Sequence, residues 1–87
     1  MSYNARFACP CCGYLTLSEE PPGTYEVCPV CDWEDDAAQS ADAELEGGAN
    51  AVSLGQARAN FREFGAAQRG SIDRVRKPLP EEVPRST

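Results

Sequence analysis

Eighty-seven residues with a formal charge of −6 make at most one small domain, too small to stand on its sparse Phe, Leu, Ile and Val alone, so a metal, disulfide or oligomer contact is expected to hold it. Residues 1–50 carry ten of the fourteen acids and one base, a net −9, while residues 51–87 carry seven bases and four acids, a net +3. A nucleic-acid binder keeps its basic footprint on its recognition module; here the cysteine-rich half is the acidic half, which argues against a nucleic-acid partner.

Met1-Ser2-Tyr3-Asn4 opens with neither a basic n-region nor an apolar h-region, and no apolar run approaches the roughly 18 residues of a membrane helix. A cytoplasmic, reducing location is therefore expected, where Cys-x-x-Cys pairs bind metal or do thiol chemistry more often than they form structural disulfides. Ser2 to Phe7 is expected to add a third strand to the ribbon. Cys9-Pro10-Cys11-Cys12-Gly13 follows. Proline after the first cysteine presets a tight turn, and glycine after the last permits positive φ, so Cys9 and Cys12 are the expected ligands. Cys11 is then the residue between them, either a small apolar knuckle tip or a partly exposed thiol able to exchange into the site or oxidise.

Tyr14–Leu17 and Thr24–Val27 both alternate in the manner of strands, and Ser18–Gly23 between them is turn material. They read as a hairpin that brings the first knuckle to the second, Cys28-Pro29-Val30-Cys31, where Val30 takes the place of Cys11 and Asp32 the place of Gly13. Aspartate tolerates left-handed backbone better than most residues. Two Cys-x-x-Cys turns fifteen residues apart form an all-sulfur tetrahedral site for zinc, with iron as the alternative. The chain has no histidine, so no imidazole joins it. Backbone N–H groups of the turns are expected to point at the sulfurs. Trp33 is expected to pack over the site or against the later helix, and Glu34-Asp35-Asp36 to form a solvated acidic turn.

Residues 37–52 read as an acidic loop or short helix ending in Gly47–Asn50. Ser53 and Gln56 then supply a capping box, and Gly65 a left-handed stop, for a helix over 53–65. Its apolar stripe is Leu54, Ala57, Phe61 and Phe64, and the two phenylalanines are expected to dock in the core. Residues 66–87 are a connector and a proline-rich tail, extended or without structure from Lys77 onward. The fold expected is small α+β: a metal-binding ribbon of two or three antiparallel strands over residues 1–36, of the zinc-ribbon or rubredoxin-like kind, carrying one C-terminal amphipathic helix.

The pieces CPCCGYLTL (9–17), GTYEVCPVCDWEDD (23–36), GGAN (47–50), SLGQARANFREFGA (53–66) and VRKP (75–78) resemble the cysteine-rich CPCC family of small, mostly bacterial proteins; the resemblance implies a fold and no reaction. More loosely, Cys9, Cys12, Gly13, Tyr14, Cys28, Pro29 and Cys31 are similar to the knuckles of rubredoxin and of the rubredoxin-like tail of rubrerythrin, which implies redox-active iron. A thiol oxidoreductase is the third reading. It is the weakest, because neither a helix N-terminus nor a βαβ context is evident at either pair. No nucleophile–base pair or phosphate loop appears. The reading is thus a non-enzymatic zinc module with no small-molecule substrate, no membrane and no nucleic acid, whose acidic surface meets a protein with a basic surface.

Overall fold

The two Cys-Pro-x-Cys turns each fold back on their own flanks, and this sets the architecture. The computed structural model describes residues 6–84. Strand β1 (Phe7–Ala8) pairs antiparallel with β2 (Leu15–Leu17) across the first turn. The pairs are Phe7 with Leu17 and Ala8 with Leu15, so the register slips by one residue and Thr16 has no partner opposite. That irregularity breaks the alternation of β2 and buries Thr16 and Leu17 together.

Across the second turn Val27 bridges Glu34, and the N–H groups of Tyr25 and Asp35 donate to the carbonyls of Asp35 and Glu26, both at 2.9 Å. The expected hairpin of Tyr14–Leu17 with Thr24–Val27 is therefore not formed. A knuckle returns the chain within a few residues, so its own flanks pair at little loop-closure cost, and the edge of residues 25–27 is spent on residues 34–35. The two arms meet through side chains: the Glu26 carboxylate accepts from Ser18 N–H, Ser18 Oγ and Glu19 N–H at 2.9–3.0 Å. The further strand expected over Ser2 to Phe7 lies, apart from Arg6 and Phe7, outside the described residues.

Helix α1 (Ala37–Ala41) begins where Asp36 accepts the N–H groups of Ala38 and Gln39, a short-range N-cap. Asp36 also takes Ala49 N–H at 2.9 Å, and Asp35 is fully buried with its Oδ2 on Thr24 N–H, 2.9 Å away. The solvated acidic turn expected at Glu34–Asp36 is thus corrected: two of its carboxylates are consumed by backbone N–H groups. Buried Gln39 clasps the following loop, its amide nitrogen within 3.1 Å of the carbonyls of Leu45, Asn50 and Val52. Asn50 in turn holds Glu34 through N–H and carbonyl at 2.8 and 2.7 Å. A Cβ on Gly48 would stand 2.8 Å from Gln39, so the clasp needs glycine there.

Helix α2 (Leu54–Phe64) starts at Ser53, whose Oγ accepts Gln56 N–H, and stops at Gly65 with φ 84°. The capping box is half formed, since Gln56 Nε2 turns to Asn60 Oδ1 at 2.8 Å. Leu54 and Ala57 are buried in the cluster that holds Cys9, Cys11, Cys28, Val30, Cys31 and Trp33. Phe61 is only half-buried, edge-on to Tyr14 at 6.1 Å. Phe64, also half-buried, lies under Arg69, whose guanidinium carbon is 4.6 Å from its ring centre. The core docking expected of both phenylalanines is thereby reduced to partial packing, and Leu54 and Ala57 make the buried contact.

Downstream, the chain takes a 3₁₀ turn at Arg69–Arg74 and another at Pro80–Glu82. The extended tail expected from Lys77 is corrected here too. Glu82 is buried, forms a bidentate pair with Arg76 at 2.9 and 2.8 Å, and accepts Leu79 N–H. Proline at the first position of the turn loses no hydrogen bond, so prolines 78, 80 and 84 do not prevent it.

Candidate metal centre

Both knuckles have the same hydrogen bonds. In the first, Gly13 N–H donates to Cys9 O at 2.8 Å and Cys9 N–H to Tyr14 O at 2.9 Å; in the second, Asp32 N–H donates to Cys28 O at 2.7 Å and Cys28 N–H to Trp33 O at 2.9 Å. The residue after the second cysteine is left-handed in each, Gly13 at φ 81° and Asp32 at φ 72°. Glycine takes this conformation freely. Asp32 is held in it because its carboxylate accepts Ser71 Oγ–H at 2.6 Å and faces Arg74 Nε at 3.5 Å.

The turns place the Sγ atoms of Cys9, Cys12, Cys28 and Cys31 within 4.8 Å of one another. The close pairs are Cys9–Cys31 at 3.6 Å and Cys12–Cys28 at 3.7 Å. These are no disulfides, whose bond is about 2.05 Å, and all the cysteines are free. Four sulfurs held tetrahedrally at about 2.3 Å from one ion would stand about 3.8 Å apart. The cluster therefore has the size of a tetrahedral thiolate site and is positioned to hold a metal ion.

Its protonation points the same way. Hydrogen bonds from Cys12, then Cys31, Cys9 and Thr16, hold the Cys28 thiol far below its usual range. Cys9 is lowered as well, first by Cys12. Cys12 is pushed up, first by its hydrogen bond to Cys28, and Cys31 first by Cys11 and then by the other three thiols. Four neighbouring anionic sulfurs repel one another, so the cluster keeps protons on some of them until a cation replaces those protons.

Helix α2 and the segment after it lace the two knuckles. Arg58 Nε donates to Pro10 O at 3.0 Å, Ala67 N–H to Cys31 O at 2.7 Å, and Arg76 N–H to Pro29 O at 3.2 Å. Cys9, Cys28 and Cys31 are at most 2% exposed; Cys12 is the ligand nearer solvent. Trp33, fully buried, joins the same cluster, as expected for a large side chain two residues after the last ligand. Cys11 is 8% exposed and packs in that cluster like its counterpart Val30, so its role as a knuckle tip holds and its partial exposure does not.

Thr16 was not singled out by the sequence. Its buried hydroxyl lies 3.0 Å from Cys28 Sγ. The only local signal is a hydroxyl residue in an apolar run, and the slipped register that turns it inward is a tertiary feature. Ser71 was missed for the same reason, being 39 positions from Asp32. Neither Cys-x-x-Cys pair starts a helix: the turn at Cys31 runs through left-handed Asp32 into Trp33 and Glu34, and α1 begins at Ala37. The geometry that lowers a thioredoxin-type thiol at a helix N-terminus is absent from both. Among the described residues no helix is long and apolar enough to cross a membrane.

Comparison with curated proteins gives no match. The family model described as "Cysteine-rich CPCC" matches residues 7–82, a span that takes in both knuckles, α1, α2 and the Pro80–Glu82 turn. The chain belongs to the cysteine-rich CPCC family.

Proposed function

We propose that the chain is a structural zinc module of the zinc-ribbon kind, non-enzymatic, that works by binding another protein. The observation that carries this reading is closure. Structural zinc sites use four protein ligands, whereas catalytic ones keep a position open for water or substrate. Here four sulfurs make up the donor set, three of them are buried, and hydrogen bonds hold both turns, from the Arg58 side chain of α2 to the first and from the backbone N–H groups of Ala67 and Arg76 to the second. Zinc suits a purely structural role because it has no redox chemistry.

The partner in this reading is a protein with a basic surface. Glu19, Glu20, Asp42, Glu44 and Glu46 are exposed; four thiolates around a dication add a formal −2 to the same half. Such a field steers cationic surfaces in and repels phosphate backbones, with rates that fall as salt rises.

Protein purified from its native expression should be colourless and contain one zinc per chain. Stripping the ion with a chelator should collapse the amide dispersion of residues 7–33, since structural zinc contributes about 10–16 kcal/mol to such small folds. A red protein with one iron would replace this reading with electron transfer, and an unchanged spectrum after verified removal would end it. The partner claim is tested by exchanging Glu19, Glu20, Glu44 and Glu46 for lysine: salt-sensitive binding of a lysine-rich peptide should be lost. Retention of the wild-type protein on duplex DNA at physiological salt would contradict it.

A further inference from the structure

A groove of about 330 Å³ opens beside the second knuckle. Val30, Phe61, Phe64 and Val75 supply its apolar lining, and Arg76 and Lys77 are its cations. Val30 sits between the metal-site residues Cys28 and Cys31, and Arg76 N–H donates to Pro29 O at 3.2 Å, so one wall of the groove is tied to the knuckle itself. A groove ordered in advance loses less entropy when something binds. Its volume lies at the low end of ligand pockets, which begin at roughly 300 Å³, and suits one bulky side chain better than an extended cofactor.

The charges around it run against those of the chain. In a protein of net −6, this groove is lined by Arg76 and Lys77, and Arg69 stands over Phe64, one of its lining residues. Arg76 is gripped by Glu82. Arg69 stacks over Phe64 and reaches Glu63 only at 3.9 Å. Exposed Lys77 has no carboxylate within ion-pair distance among the described residues. We infer that this groove docks a short acidic segment of a partner protein, which lays one aromatic or large aliphatic side chain on Val30, Phe61, Phe64 and Val75 while its flanking carboxylates face Lys77 and Arg69. A nucleic acid would require a run of phosphate contacts that two available cations do not offer. The inference is independent of the acidic face proposed above, because its cations and all of its lining except Val30 come from the other half of the chain.

The test uses the full, metal-loaded, ¹⁵N-labelled chain and three peptides: SSEEFEESS, its lysine counterpart SSKKFKKSS, and SSEESEESS without the aromatic ring. The first should give saturable shifts at Val30, Phe61, Phe64, Val75 and Lys77 by a roughly millimolar concentration, and the other two should bind at least about tenfold more weakly. Lys77→Glu alters an exposed side chain and leaves the fold in place. It should weaken SSEEFEESS about tenfold and strengthen SSKKFKKSS. The inference is overturned by the absence of saturable shifts, by equal binding of the lysine peptide, or by shifts confined to the acidic half. It is also overturned if the same signals move when the protein alone is concentrated, which would put a second copy in the groove.

Discussion

Thr16→Val isolates one hydrogen bond at the metal centre. Threonine and valine have nearly the same shape, so the substitution removes the hydroxyl and leaves the packing. Thr16 is 5% exposed and its Oγ1 lies 3.0 Å from Cys28 Sγ, so no bulk water is at hand to replace it. A hydrogen bond to a charged acceptor contributes about 1.5–3 kcal/mol. Sulfur spreads its charge more than oxygen does, which places this bond near 1.5 kcal/mol, or about tenfold in metal affinity. That agrees with the roughly 10–100-fold effect of losing an outer-shell partner. Competition with a chromophoric zinc chelator at neutral pH reads the change directly. The pH dependence has a definite sign. Thr16 is among the groups that hold the Cys28 thiol low, so without it the thiol protonates more easily, and metal loss on acidification should begin at higher pH. Thr16→Ser keeps the hydroxyl and should stay close to wild type. Affinity within about twofold of wild type in Thr16→Val, or equal loss in the serine variant, would refute the role assigned to the hydroxyl.

The left-handed backbone at Asp32 should make Asp32→Ala less stable than Asp32→Gly by about 1 kcal/mol in denaturant unfolding of the loaded protein; the reverse order would contradict the strain argument. A fully buried phenylalanine is worth about 3–5 kcal/mol on truncation to alanine, and half-burial brings Phe61→Ala down to about 2 kcal/mol. Phe64→Ala should cost less, because Phe64 stacks with Arg69 rather than with the knuckles; an equal loss at both positions would disprove the distinction. The Glu82 carboxyl is held below its usual range by hydrogen bonding from Arg76. Its stabilising contribution is therefore complete above the unfolded value of about 4.3 and fades as pH falls through the lower folded value. Arg76→Gln should release the Pro80–Glu82 turn at a higher pH than wild type, followed by the amide signals of Glu82 and Val83, and coincident midpoints would rule the pairing out as the cause.

What could be read from residues alone was local. Proline after one cysteine and a left-handed-tolerant residue after the next specify a turn whose hydrogen bonds close within six residues, so Cys9, Cys12, Cys28 and Cys31 stood out as a matched set. Ser53 and Gly65 marked the ends of α2 for the same reason, since caps act over three or four residues. Tertiary structure decided whatever depends on partners far along the chain. Alternating residues at 14–17 and 24–27 are equally suited to pairing with each other or with their own knuckles, and the shorter loop closure chose the latter. Acidic residues look alike in sequence, yet Asp35 and Glu82 are buried against Thr24 and Arg76 and Asp36 is pinned to Ala49 N–H, while Glu19 and Glu44 stay in water. A carboxylate is buried only where N–H groups or a guanidinium replace its hydration, and those groups arrive from segments that composition and periodicity do not connect. Thr16 and Ser71 reached the metal knuckles by that route, through a slipped register and a 3₁₀ turn that brings Ser71 to Asp32.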